Sequence, residues 1–381
     1  MSPLPRKVVV VGAGPVGCLA AMAFAKQGWK VEVFEGRTDI RLPSSKAANQ
    51  QRSINLAMSH RGIAALEAVD PGLTQRFMDT VIPMRGRMIH SAKGGLDSQL
   101  YDKDGQCINS IDRALLNEVL LEEATAIGNI SIFFEHKVMA ADFNEKRITI
   151  RNSKSGEQFS VDFDFCIGAD GSYSIIRRQM MRVVRMDYQQ EYIKHEYVEL
   201  KMPAGIDTNG KATFLLDPNH LHIWPRHSFM LIALPNKDKT FTCTLFAPTS
   251  DFDRLDTPEV ILAWFELHFP DALSMIGEKN LVEDFRRNPR SPLICTKDSV
   301  IILGDAAHSM VPFYGQGLNC GLEDVRILMT LLLQEGVKPT PPSIKVGSTI
   351  GIDQCLARAL DRYSDTRHED LIAICDLAMD N

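Results

Sequence analysis

Hydrophobic residues recur along this chain in three rhythms, and their order outlines the fold. Lys7-Val-Val-Val-Val11 is a continuous β-branched run of the kind buried on both faces of a sheet. Glycines follow, and Pro15 to Lys26 is then apolar nearly all round and stops at Gly28, which predicts a buried helix. A second run, Val31-Glu-Val-Phe34, closes on Glu35. Strand, tight turn, buried helix and strand make a βαβ unit on a parallel sheet. Ser110 to Ile127 predicts a further helix, with Leu115, Leu116, Val119 and Leu120 on one face and Gly128 as its stop. Phe163-Asp-Phe-Cys-Ile167 predicts another strand, ending at Gly168.

From about Met186 to Thr249 the rhythm changes. His220-Leu-His-Ile-Trp224 alternates, Phe229 to Leu234 is continuously apolar and Phe241 to Phe246 alternates again, with short connectors such as Pro235-Asn-Lys-Asp238. This predicts an antiparallel sheet inserted in the α/β domain. Ile301-Ile-Leu303 returns to buried-strand character, and a helix is expected from about Asn319 to Gln334. Lys338 to Gly351, rich in Pro, Ser and Gly, reads as a loop. Gln354 to Met379 reads as an amphipathic helix, with Arg367-His-Glu-Asp370 on its solvated face. The expected division is a discontinuous nucleotide-binding domain (1–185 and 293–336), a sheet domain (186–292), a loop (337–353) and a helical segment (354–381).

Composition narrows the function classes. The chain has 381 residues, and 42 Lys+Arg against 48 Asp+Glu give −6, so no basic footprint for nucleic acid is present. Cys18, Cys107, Cys166, Cys243, Cys295, Cys320, Cys355 and Cys375 are scattered without a CxxC pair, which excludes a disulfide framework or thiolate zinc site and fits a reducing compartment. No apolar run approaches the roughly 20 residues of a membrane span, and Met1 to Lys7 lacks the apolar region of a signal peptide. His220, His222 and His227 have no carboxylate or thiolate at ligand spacing, so no metal is expected.

Three glycine motifs carry the chemistry. Gly12-Ala-Gly-Pro-Val-Gly17 matches GxGxxG between a buried strand and a buried helix, with Glu35 ending the next strand. Gly12, Gly14 and Gly17 let the backbone approach a diphosphate, and the helix N-terminus offers free N–H groups. Glu35 would accept from an adenosine ribose and repel a 2′-phosphate; Arg37 nearby keeps the NADP reading open. The second motif, Gly168-Ala-Asp170-Gly-Ser172 with Arg177, ends a strand and reads equally as a plain strand-to-helix turn. The third runs Gly304-Asp305-Ala-Ala-His308, then Pro312, then Gly315-Gln-Gly317-Leu-Asn319. Asp305 is placed to accept from ribityl hydroxyls or to cap its turn, and the helix after Gly317 would aim its positive end at a flavin ring. His308 reads as a packed core histidine rather than a base.

In order and spacing, the three motifs resemble the FAD-dependent aromatic hydroxylases, the class A flavoprotein monooxygenases, over nearly the whole chain. The fold class expected is therefore α/β, a Rossmann-like FAD-binding fold with an inserted antiparallel β-sheet and a C-terminal helix. No second GxGxxG is present for a separate nicotinamide domain, as in that family. More specifically, Ser53-Ile-Asn-Leu-Ala-Met-Ser-His-Arg-Gly62, Pro83-Met-Arg-Gly-Arg-Met-Ile-His90, Leu221-His-Ile-Trp-Pro-Arg226 and Pro312-Phe-Tyr-Gly-Gln-Gly317 resemble the kynurenine 3-monooxygenases. Asp187 to Tyr192 and Ala373 to Ala378 agree. The resemblance implies FAD as cofactor, NADPH as transient reductant, and hydroxylation of L-kynurenine by dioxygen through a flavin hydroperoxide. It places Arg87, Tyr101 and Asn381 on the substrate. Against FAD it places Val16, Phe34, Glu35, Gly36, Arg37, Ala57, Arg113, Val138, Asp170, Asp305, Leu318 and Asn319, beside Gly317 of the third motif. Residue chemistry alone supports Arg113; at Arg87 it favours a solvated surface arginine, although the residue type fits the role. Arg is the side chain that grips a carboxylate with a bidentate fork. Arg113 would sit in the first turn of a helix, where a cation opposes the macrodipole unless an anionic partner is near.

The family also implies a mitochondrial outer membrane protein facing the cytosol, attached through a C-terminal part beyond Asn381, while this chain itself reads as soluble. The segment Cys295 to Ile301 is shorter than in the family. Two other readings share the fold. One is a flavin hydroxylase or epoxidase with a different substrate; the other is a non-enzymatic escort module, against which the intact Gly304-Asp305 motif argues.

Overall fold

A parallel sheet grows around the opening valine run, as its all-round apolarity requires. β1 (Lys7–Val11) leads through the glycine turn into α1 (Pro15–Lys26), and β2 (Lys30–Phe34) returns parallel, Val11 opposite Phe34. The computed structural model of the protein describes residues 4–49, 55–186, 188–297, 301–340 and 353–379. Every side of α1 meets protein, with Gly17 to Ala25 buried without a break, which is why the helix carries no polar stripe. Next come α2 (Pro43–Asn49), β3 (Asn55–Met58), α3 (His60–Val69) and α4 (Pro71–Met78). β4 (Ile82–Met84), β5 (Gly86–His90), β6 (Leu96–Leu100), β7 (Ile108–Asp112), α5 (Arg113–Ala126) and β8 (Ile130–Phe133) follow.

The helix expected from Ser110 begins at Arg113. Ser110 to Asp112 belong to β7, the middle strand of a small sheet with β3 and β4, and Asp112 caps the helix by accepting from the Leu115 N–H at 2.9 Å. The apolar face read at Leu116 and Leu120 is buried as expected, whereas Leu115 is exposed.

β9 (His136–Asp142), β10 (Arg147–Asn152) and β11 (Gln158–Asp162) form an antiparallel meander, and β12 (Phe165–Gly168) completes the parallel sheet in the order β12-β1-β2-β8. α6 (Ile175–Met180) leaves its end. The strand expected at Ile301 to Leu303 is only a single parallel bridge, Gly168 to Ile302, before Gly304 turns the chain away.

The period-two region makes the second layer. It contains β13 (Gln189–Met202), a small hairpin of β14 (Gly205–Ile206) and β15 (Ala212–Thr213), then β16 (His220–Arg226), β17 (Phe229–Pro235) and β18 (Phe241–Pro248). α7 (Thr249–Phe252), α8 (Pro258–His268), α9 (Pro270–Ile276), α10 (Glu278–Arg287) and β19 (Ser291–Lys297) follow. The sheet order is β19-β13-β18-β17-β16-β5-β6. Its neighbours are antiparallel except β16 and β5, which run parallel with Leu221 opposite Arg87. The sheet therefore draws β5 and β6 from residues 86–100, inside the segment expected to bind nucleotide, and β19 crosses the expected boundary at 292. Pairing with β5 covers the edge of β16 that would otherwise stand open.

Alternation divides the faces of this sheet. Val198, Leu245, Leu231 and Trp224 pack against α8, α9 and α10, while Tyr197, Phe246, Met230 and Ile232 face the other way and meet Val311 and Ala378. α11 (Asp305–His308), a single 3-10 turn at Pro312–Tyr314, α12 (Gly317–Gln334) and α13 (Gln354–Met379) close the chain. α12 starts two residues before Asn319 and packs on α1 and α3, with α13 against its outer side.

Candidate active site

The three motifs meet at the C-terminal edge of the parallel sheet, where open α/β sheets bind ligands. The Ala169 N–H donates to Val11 O at 2.8 Å, and Gly12, at φ 102°, lies so close that a Cβ there would stand 2.3 Å from Ala169 O. The Leu303 N–H donates to Gly168 O at 2.8 Å. Ser172 Oγ bonds Ser309 Oγ at 2.9 Å, and the buried Arg177 donates to Ala306 O at 2.6 Å. Val16 on α1 touches both Gly304 and Gly321. First, second and third motifs are thus tied pairwise.

The residues present fit FAD. A Cβ on Gly14 would meet nothing within 4 Å, so the space above the glycine turn is open. The first turn of α1 has neither a side-chain cap nor an acidic residue, which leaves its N–H groups and positive end for an anion. The 18-residue α12 likewise begins at Gly317 without a side-chain cap. Asp305 is exposed at the start of α11, with no hydrogen-bond or ion-pair partner among the described residues.

Other expected contacts have partners of their own. Glu35 is buried against the glycine turn: Oε2 accepts from the Ala13 N–H at 2.9 Å and from Arg37 Nη2 at 3.2 Å, and Oε1 accepts from Arg37 N and Nε, each at 2.9 Å. Burial works against its charge, but the Arg37 guanidinium and the two N–H groups outweigh it and hold the carboxyl below its ordinary range. The Arg37 side chain that covers it is 71% exposed. Gly36 packs on Lys137, and the His136 N–H donates to Glu35 O at 2.9 Å, which brings the buried Val138 beside the loop. Phe34 stacks on Phe133. Asp170 caps α6, accepting from Ser174 Oγ at 2.5 Å and from the Ile175 and Ile176 N–H groups at 2.6 and 3.2 Å, and burial raises its pKa. Arg113 is exposed at the first turn of α5. Asn319 is wholly buried, donating to Ala57 O at 2.9 Å and Gly315 O at 3.1 Å while accepting from the Ser59 N–H at 2.9 Å. It ties β3 to the start of α12, and Leu318 beside it packs on the main core.

The other wall of the candidate site is the face of the seven-stranded sheet that meets Val311 and Ala378. Because Arg87 pairs with Leu221, and Ile223 with Ile232, Arg87 stands on the same face as Ile223, Ile232, Met230 and Phe246. Its guanidinium lies over the Tyr101 ring, 5.4 Å from the centroid. Burial raises the Tyr101 pKa, with Arg87 opposing more weakly. This is a cation held on an aromatic ring at the edge of an apolar surface. Asn381 lies outside the described residues, as do Ser53, Ile54, Asp187 and residues 298–300 of the short segment before the third motif.

Two clusters were not anticipated. Arg367, expected on a solvated face, is 2% exposed and bonded to Asp324, which also holds His308. The signal was the i, i+4 stripe Ala359, Tyr363, Arg367, Leu371, in which Arg367 stands among buried positions. His308 itself is packed in the core, as read from the sequence. On the helix-covered side of the sheet, His90 bonds His222 at 2.9 Å and Asp271 at 3.2 Å, and Trp224 Nε1 donates to Asp271 at 2.7 Å. Among the described residues no group of three or more His, Cys, Asp or Glu side chains is arranged to hold a metal ion.

The fold and its three joined glycine motifs define an FAD-binding protein, and the FAD binding domain family matches residues 6–336. Solved structures of similar fold include 2-methyl-3-hydroxypyridine-5-carboxylic acid oxygenase (TM-score 0.74, 21% identity, 99% of this chain and 91% of the other). PqsL from P. aeruginosa is another (TM-score 0.72, 18% identity, 98% and 95%). In sequence, the chain is 46% identical to the kynurenine 3-monooxygenase of Cryptococcus neoformans var. neoformans, over 99% of this chain and 78% of that protein. With the kynurenine 3-monooxygenase of Candida albicans the identity is 47%, over 99% and 79%. The chain belongs to the kynurenine 3-monooxygenase family.

Proposed function

We infer that this chain is an FAD-dependent monooxygenase that uses NADPH and dioxygen to convert L-kynurenine to 3-hydroxykynurenine. The single observation that carries the substrate side is Arg87, held over Tyr101 at the edge of an apolar sheet face that meets the third glycine motif at Val311. An aromatic amino acid offers a carboxylate for the guanidinium and a ring for the apolar face. Bound FAD supplies the redox and oxygen-transfer chemistry. The N-terminus of α1 would hold its diphosphate, Glu35 its adenosine ribose once Arg37 moves aside, and Asp305 its ribityl hydroxyls. Gly317 at the start of α12 would present the positive helix end to the ring system. Arg87 orients kynurenine, while Ile223, Ile232, Met230 and Phe246 exclude water from the reacting carbon. The substrate's own ring amine activates the neighbouring carbon, so no strong protein base is required.

The division of labour we propose places FAD on residues 1–185 and 293–336 and substrate on the sheet of 186–292, with β5 and β6 lending Arg87 to that sheet. Attachment to the mitochondrial outer membrane through a C-terminal part beyond Asn381 rests on the family resemblance; no described helix is long and apolar enough to cross a membrane. The test of function is an absorbance spectrum followed by NADPH oxidation with and without kynurenine. A flavin spectrum and kynurenine-stimulated oxidation are expected. Flavin without stimulation by kynurenine removes the substrate assignment, and a colourless protein removes the whole reading.

A further inference from the structure

Besides apolar contacts at Met310 and Val311, the C-terminal helix reaches the flavin motif through a buried ion-pair cluster centred on Arg367. Arg367 of α13 donates from Nε and Nη2 to Asp324 Oδ1 at 3.1 and 2.8 Å, from Nη1 to Glu323 Oε2 at 3.2 Å and Asp370 Oδ2 at 3.3 Å, and from Nη2 to Cys320 O at 3.3 Å. Asp324, wholly buried on α12, turns its other oxygen to the third motif: Oδ2 accepts from the Gly304 N–H at 2.9 Å and from His308 Nε2 at 2.5 Å. Gly304 and His308 bracket α11, whose first residue is Asp305.

The geometry leaves little freedom between these points. Gly304 sits at φ 60°, ψ −141°, a conformation that favours glycine, with Val16 packed on one side and Gly321 on another. An isolated buried carboxylate protonates or unfolds its surroundings, so Asp324 keeps its charge here only because the Arg367 guanidinium and the Gly304 and His308 donors meet it. Burial opposes that charge, but His308 and Arg367 together hold the carboxyl below its ordinary range. Ionised, its Oδ2 accepts two bonds at once, both stronger than neutral ones. His308 Nδ1 is buried without a partner among the described residues, so among them the ring is held from the Asp324 side alone.

We propose that Arg367 is a positioning residue for the flavin site, fixing Gly304 and His308 through Asp324 and so setting where Asp305 presents its carboxylate. The inference rests on the flavin reading above. It assigns a role in cofactor binding to a side chain, Arg367, whose own bonds go to Cys320, Glu323, Asp324 and Asp370 and not to the glycine motif itself.

The experiment compares Arg367→Met, Arg367→Lys and the double variant Arg367→Met with Asp324→Asn, each stripped of FAD. Apoprotein thermal unfolding is followed by circular dichroism and FAD affinity by quenching of flavin fluorescence, with the visible spectrum of the reconstituted protein as a third readout. Arg367→Met should raise the FAD Kd about tenfold or more, the scale of one charge-assisted hydrogen bond, and shift the flavin bands; Arg367→Lys should recover most of the affinity. If Arg367→Met fails to fold, the double variant decides, because it leaves no unpaired buried charge: weakened FAD binding in the folded double variant supports the proposal. Unchanged Kd in a folded Arg367→Met or double variant, even with a lower melting temperature, overturns it. Failure of the wild-type protein to bind FAD instead sinks the underlying reading.

Discussion

The two walls of the candidate site are built from different materials. On the parallel-sheet side, the surface offered to a ligand is mainly backbone: the turn Gly12 to Gly17, the uncapped starts of α1 and α12, and a glycine, Gly304, before Asp305. On the other side it is side chain: Arg87 over Tyr101, then Ile232, Met230 and Phe246 spread over a pleated face. A backbone wall tolerates any change that leaves its path alone and fails when a methyl is added. A side-chain wall keeps its path under substitution and fails when a group is removed.

The largest effect that would separate the walls is at Gly12. An alanine Cβ there would stand 2.3 Å from Ala169 O at a φ of 102°. Ala169 cannot yield, because its N–H is bonded to Val11 O. Gly12→Ala should lower stability by roughly 3 kcal/mol or more and abolish FAD retention, read by thermal unfolding and bound-flavin content. Gly14→Ala sharpens the contrast, since its Cβ meets nothing within 4 Å and its φ of −73° is ordinary. That variant should unfold within about 0.5 kcal/mol of wild type as apoprotein, yet lose FAD. If Gly14→Ala keeps its flavin, the diphosphate does not lie on this wall.

On the other wall, Arg87→Ala should leave FAD content unchanged and raise the KM for kynurenine by about 10- to 100-fold, the range expected for a charge-assisted pair. Tyr101→Phe keeps the ring under the guanidinium and should change KM less. A KM untouched by Arg87→Ala, or flavin lost with it, would reverse the assignment of the walls.

How legible each wall is in the sequence follows from the same difference. Glycines required by a local turn are written locally, so β1, α1, β2 and Glu35 could be read in a window of about 30 residues. The seven-stranded sheet needs β5 beside β16, a pairing across more than a hundred residues. Gly86, where a Cβ would stand 2.5 Å from Gln99 O, marks only the nearby β5–β6 pairing. Asp170 shows the limit of motif reading: the pattern allowed a ligand site or a plain strand-to-helix turn, and the carboxylate is bonded to the start of the next helix. Arg367 was hidden for another reason, since its charge masks its place in a buried i, i+4 stripe that only its partners Asp324 and Glu323 make tolerable.

The smallest effect concerns the support behind the side-chain wall. His222, 2% exposed, donates from Nε2 to Asp217 O at 2.9 Å and accepts at Nδ1 from His90, whose other nitrogen faces Asp271; His220 and the Asp217 carboxylate complete the titratable groups around it. Burial above all, with His90 and His220 adding repulsion, lowers the His222 pKa to about 4. Unfolded, it takes up a proton as pH falls through about 6.5; folded, it does not until near 4. Its neutral burial therefore stabilises fully above that upper value and loses up to about 1.4 kcal/mol per pH unit on the way down. Asp271, held at about 2 although burial opposes its charge, because His90 and Trp224 bond it, gives up its contribution in a separate window, from its ordinary 3.8 down to about 2. Between pH 6.5 and 5 the melting temperature should fall in wild type and stay flatter in His222→Gln, which can still donate to Asp217. Over the same range the KM for kynurenine should rise before FAD affinity weakens, because the histidines lie behind the wall that carries Arg87. Parallel melting curves for the two proteins would show that His222 is not the group that titrates, and FAD lost ahead of kynurenine would show that the two walls yield together.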